Sequence, residues 1–128
     1  MKVRWTADSV RYRITPSELE TIQQGGEVRQ EFRPGAVAIW SAVILASEKD
    51  TALTWNGNEI GILLSRPDRD RLAVPDVEGV YFRHEGDQPV RYFIEKDFPC
   101  IHPSASAAAE TPTETFAPPS DFDQRKAT

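Results

Sequence analysis

Six positions near the start of this chain recur in kind fifty residues later: Val10, Tyr12, Ile14, Thr15, Glu18 and Ile22 fall on Ile60, Ile62, Leu64, Ser65, Asp68 and Leu72. In each set an alternating apolar run, the pattern of a half-buried strand, leads into a hydroxyl residue followed three positions later by an acid, the pattern of a helix start. The chain therefore reads as ββαββ twice. Either it carries an internal duplication, or two hairpin–helix–hairpin units resemble each other by chance.

Residues 2–14 predict a hairpin, with Val3 and Trp5, then Val10, Tyr12 and Ile14, alternating with charged neighbours around a turn near Ala7–Asp8. The segment TPSELETIQQGG predicts a short helix: Thr15 is the N-cap, Pro16 takes the first helical position, Glu18 completes a capping box and Gly25–Gly26 stop it. Strands follow at Glu27–Arg33 and Val37–Leu45, separated by the turn pair Pro34–Gly35. The second unit supplies a hairpin of Thr51–Trp55 and Glu59–Leu64 around Asn56–Gly57–Asn58, a helix over residues 65–74, and a last strand pair, Gly79–His84 and Val90–Glu95. Eight strands and two short helices predict an α+β fold of mostly antiparallel sheet, with the helices on one face or the sheet rolled towards a barrel. Val37–Leu45 is apolar on both faces, which makes it the expected central strand.

A chain of 128 residues has room for one core. Its hydrophobic fraction of 39% is below the ~45–50% of an average globular domain, so part of it should lie outside that core. From Pro103 the composition turns to Ala, Ser, Thr, Pro and acids, too little apolar surface to offset ordering entropy. We therefore expect a folded domain over residues 1–102 and a disordered acidic tail over 103–128, with the boundary near Ile101 to Pro103. Within the tail, FAPPSDF at residues 116–122 sets two aromatics around a Pro pair that favours extended backbone. It reads as part of an inert solubilising tail, or as a segment that docks Phe116 or Phe122 onto this domain or another.

The longest apolar run, Ala36 to Ala46, is far short of the ~20 residues that cross a bilayer, and the N-terminus lacks the apolar block of a signal peptide. With a single cysteine, Cys100, there is no internal disulfide. These features predict a cytoplasmic protein without membrane contact. A net charge of −5 argues against non-specific nucleic-acid binding, which depends on neutralising phosphates.

Two groups of residues suggest chemistry. Alternation places Lys2, Arg4, Arg11 and Arg13 on one face of the first hairpin, where they form an anion site or a solvated face balanced by Glu27 or Glu31 of a neighbouring strand. The closing segment EKDFPCIHP brings Glu95, Asp97, Cys100 and His102 close in sequence. Glu95 and Asp97 offer a carboxylate pair or a solvated strand end. Cys100 and His102 are a nucleophile and base, two zinc ligands, or simply an apolar anchor and its neighbour. With one Cys and only His84 as a further imidazole, the ligand count for a structural zinc site is not met, and we expect no metal. No phosphate-cradling glycine loop and no nucleophile elbow is present, so we expect no cofactor.

The opening MKVRWTADSVRYRITPSELETIQQGGEV, the central strand–turn–strand and the closing EKDFPCIHP resemble a family of small bacterial proteins of unknown function. That family opens with a Lys-x-Arg strand and a Ser-Val/Ile-Arg-x-Arg-Leu strand, runs into a Thr-x-Ser-Glu helix, and closes on Glu-Lys-Asp-Phe-x-Cys with an acidic Phe/Pro tail. The resemblance covers residues 1–33 and 90–122 and departs most at SRPDRDRLAV, where the family's helix is richer in Ala. It implies bacterial origin and cytoplasmic location and supplies no activity.

The expected function is a non-enzymatic binding or adaptor domain, in self-association or with a protein partner met by a β-face or edge. The alternative is an enzyme or binding protein for a phosphorylated or anionic small molecule, using the four cations as anion site and Glu95 or Asp97 as acid–base groups.

Overall fold

The computed structural model describes residues 1–98, of which Met1–Asp97 form one compact unit. The boundary expected near Ile101–Pro103, the tail with FAPPSDF, Cys100 and His102 lie outside the described residues.

Ten elements follow the doubled order: β1 (Lys2–Thr6), β2 (Ser9–Ile14), α1 (Pro16–Gln23), β3 (Val28–Phe32), β4 (Trp40–Ser47), β5 (Ala52–Asn56), β6 (Glu59–Ser65), α2 (Arg66–Leu72), β7 (Gly79–His84) and β8 (Val90–Lys96). Local chemistry sets most of these bounds. The capping box of α1 is complete, with Thr15 Oγ1 accepting from the Glu18 N–H at 3.3 Å and Glu18 Oε1 accepting from the Thr15 N–H at 2.9 Å. The same carboxylate meets the Met1 ammonium at 2.6 Å. Burial pushes Glu18 up, but hydrogen bonds from that ammonium and from Thr15 outweigh it and hold its pKa below the ordinary value. In α2 the equivalent acid is one methylene shorter, and a third side chain completes the cap. Ser65 Oγ accepts from the Asp68 N–H, while the Ser65 N–H donates to Thr51 Oγ1 at 2.9 Å and Thr51 in turn donates to Asp68.

The strand expected over Val37–Leu45 instead starts at Trp40. Arg33 Nη2 donates to the Ala36 carbonyl at 2.7 Å and the Ile39 N–H to the Phe32 carbonyl at 3.0 Å, closing a loop on which Val37 and Ile39 are 71% and 54% exposed. From Ser41 to Ile44 the strand is buried on both faces, as its composition requires.

The strands form two separate, mostly antiparallel sheets and do not close into a barrel. Sheet I has the order β1-β2-β8-β7 and sheet II the order β3-β4-β6-β5. Each sheet is a pair of hairpins joined at its centre by a parallel pair, β2 with β8 and β4 with β6. Each ββαββ unit thus gives one hairpin to either sheet, and exchanging the two units exchanges the two sheets. Equivalent ladders share a register: Trp5 pairs with Val10 as Trp55 pairs with Ile60, and Phe32 with Trp40 as His84 with Val90.

One core joins Tyr12, Ile14, Tyr92 and Ile94 of sheet I to Ile44, Ile62 and Leu64 of sheet II, with Ile22 and Leu72 from the helices. Burying a side chain of this size contributes about 1.5–3 kcal/mol. The one polar atom on Tyr12 is satisfied there, its hydroxyl donating to the Ile60 carbonyl at 2.7 Å. Burial raises that hydroxyl's pKa far beyond the ordinary tyrosine value. No helix among the described residues is long and apolar enough to cross a membrane.

Candidate functional site

The helices follow β2 and β6, so the opposite ends of those strands, with the turns that precede them, lie away from α1 and α2. At that end a cavity of about 380 Å³ opens between the sheets, walled by Trp5, Val10, Trp40, Leu53, Trp55, Ile60 and Val90, with Thr6, Ala7 and Ser9 at the first turn. All three tryptophans of the chain meet here. Trp5 and Trp55 remain 62% and 61% exposed although alternation puts them on the core side of their strands. A second cavity of about 530 Å³, lined by Met1, Lys2, Val3, Gln30, Glu31 and Phe32, shares Trp5 and Trp40 with the first. Together they make an apolar groove that continues between β1 and β3, each the end strand of its sheet.

The unit exchange shows why the groove opens on one side. Trp5 corresponds to Trp55, Phe32 to His84 and Trp40 to Val90. Trp55 meets His84 edge-on at 5.1 Å, bridging end strands β5 and β7. Trp5 instead leans on Trp40, ring centres 5.3 Å apart and planes at 37°, and Phe32 is left 56% exposed. A valine at position 90 offers no comparable ring to Trp55.

The four cations singled out in the sequence do share the outer face of sheet I, Lys2 opposite Arg13 and Arg4 opposite Arg11. Their neighbours are not the expected Glu27 and Glu31, which lie just before β3 and within it and pair with Arg29 at 2.6 Å and Arg33 at 3.0 Å. Because β8 runs beside β2, Glu95 and Asp97 of the second sequence group meet the first. Glu95 lies 3.2 Å from Arg11 Nε and 3.9 Å from Arg13 Nε, and Asp97 lies 3.1 Å from Lys2 Nζ. The two carboxylates thus each face cations. Tyr81 donates its hydroxyl to Glu95 at 3.0 Å, and burial followed by that bond raises the Tyr81 pKa. The Arg11 and Arg91 guanidiniums approach the Phe93 ring, 5.5 and 5.9 Å from its centre.

Sequence reasoning missed both the tryptophan groove and the extension of the basic face by Tyr81, Arg83, Arg91 and Phe93. For the groove the available signal was Trp5 and Trp55 at the repeat offset. For the face it was the outward phase of β7 and β8.

The chain belongs to the family of unknown function DUF7009, whose model matches residues 1–119. No curated protein matches it.

Proposed function

We propose that this member of the family is a non-enzymatic binding module that holds an extended, apolar-anchored segment of a partner protein in the tryptophan-lined groove. The observation that carries this reading is the asymmetry between two equivalent places. Ring contact bridges one gap between end strands, and the other is left open and lined by Trp5, Trp40 and Phe32. An elongated groove beside two end strands suits an extended chain, whose backbone can pair with an unpaired strand edge while alternate side chains enter the cavities. Sinking one Phe- or Leu-sized side chain between the tryptophans is worth about 1.5–3 kcal/mol. Bacterial origin and cytoplasmic location, implied by the resemblance of the opening and closing segments, are part of the same proposal.

Selection of displayed random heptapeptides against the full chain tests it. Enriched peptides should share an aromatic or aliphatic anchor and should fail to bind Trp5→Ala/Trp40→Ala. Failure to enrich any sequence, or an enriched sequence that binds the double variant equally, contradicts the proposal.

A further inference from the structure

The outer face of sheet I is a grid. Across its four strands, one row reads Thr6, Ser9, Arg91 and Arg83, the next Arg4, Arg11, Phe93 and Tyr81, and the third Lys2, Arg13, Glu95 and Gly79. Six cations and two aromatic rings therefore share one face of a chain whose net charge is −5. Among the described residues, the acids that meet these cations include Glu95, Asp97 and, beside Arg83 at 2.8 Å, Glu85.

The fold does not require this face to be basic, and the exchange of units supplies the control. On the outer face of sheet II the positions equivalent to Lys2, Arg4, Arg11 and Arg13 hold Ala52, Thr54, Gly61 and Leu63, and those equivalent to Arg91 and Arg83 hold Ser41 and Glu31. The same ladders are thus built without one of these six cations. Nor do the acids use up the donors: the Arg11 and Arg13 contacts to Glu95 are charge contacts outside hydrogen-bond geometry.

We infer that the outer face of sheet I binds single-stranded nucleic acid. The rings of Tyr81 and Phe93, 5.4 Å apart, and the guanidinium planes beside them are the surfaces on which unpaired bases stack, while the surrounding cations meet phosphates. Lys2, Arg4, Tyr81, Arg83 and Arg91 are exposed, so the face is open and offers an extended polymer successive contacts, where a small anion would need a concave site. Net charge alone opposes non-specific binding, but the local excess of cations governs a ligand held on this face.

The test is fluorescence anisotropy of the full chain with a labelled single-stranded oligo-U, at low and moderate salt. Binding should saturate and weaken with salt. It should fall at least tenfold in Arg4→Glu/Arg91→Glu and in the milder Arg4→Gln/Arg91→Gln, and stay unchanged in Thr54→Glu, the equivalent position on sheet II. Tyr81→Ala should weaken binding severalfold with the salt slope unchanged. Unlabelled oligo-U should compete far better than polyphosphate, polyglutamate or a duplex of equal length. Absence of saturable binding, an equal loss in Thr54→Glu, no effect of Tyr81→Ala, or equal competition by any of those three would overturn the inference.

Discussion

The indole of Trp5 rests on that of Trp40 at 5.3 Å, although the repeat places Trp5 where its counterpart Trp55 turns to His84. Two differences in the second half of the first unit, Trp40 where the other unit has Val90 and Phe32 where it has His84, accompany this difference, and the gap between β1 and β3 is lined by aromatic surface.

Replacing Trp40 by the residue of its counterpart tests that relationship. Trp40→Val should lower stability by about 1–3 kcal/mol, less than the ~3–5 kcal/mol of truncating a fully buried tryptophan, because the side chain is half-buried. Urea denaturation measures it. A change below ~0.5 kcal/mol would mean that Trp40 does not support Trp5.

The helix caps differ in how they are built, and their variants should differ accordingly. Thr15→Ala should cost about 0.5–2 kcal/mol, the usual range for an N-cap. Thr51→Ala, far from α2 in sequence, should cost about 1–3 kcal/mol by leaving the Ser65 N–H and the Asp68 carboxylate without their shared partner. A neutral Thr51→Ala would show that water replaces it.

Stability should depend on pH through Glu18. Its folded-state pKa is depressed, so the stability it adds is fully present above its unfolded value of about 4.3 and is lost as pH falls through the folded value. Denaturation curves across that acid range should show a shallower decline for Glu18→Gln than for the parent. Parallel declines would mean that the Met1 and Thr15 contacts do not persist in solution.

Gly79 sits where β7 passes Glu95. A Cβ there would lie 2.7 Å from the Ile94 carbonyl oxygen and 2.9 Å from Glu95 Cγ. Gly79→Ala should therefore destabilise by about 1–3 kcal/mol, as overpacking does. Thermal melting checks it, and an unchanged midpoint would place β7 further from β8.

What was legible in the sequence was local. Alternation in residues 2–14 fixed which side chains share a face, and the Thr15–Glu18 and Ser65–Asp68 spacings fixed both helix starts, because those interactions span a few residues. The doubled order was visible as well. What alternation cannot carry is the identity of a neighbour: nothing in β2 says that β8, distant in sequence, lies parallel to it, so Glu95 and Asp97 could not be assigned to the cations they face. The tryptophan groove was hidden for the same reason. Trp5, Trp40 and Trp55 come from three strands in two sheets, and only the exchange of hairpins between units brings them together. The strand read from Val37 starts three residues later, because the apolar Val37 and Ile39 belong to a loop longer than the Pro34–Gly35 turn and stay exposed on it.

With three tryptophans in the chain, the indole N–H resonances give a direct reading of the groove. The decisive measurement is a two-dimensional ¹H–¹⁵N titration of the full chain with an enriched heptapeptide, following those three signals together with the backbone amides of β1 and β3. The account predicts saturable shifts of the Trp5 and Trp40 indoles and of amides along one of those two edge strands, at a single midpoint. Shifts confined to the outer faces of the sheets, with the Trp5 and Trp40 indoles unmoved at saturation, would contradict it.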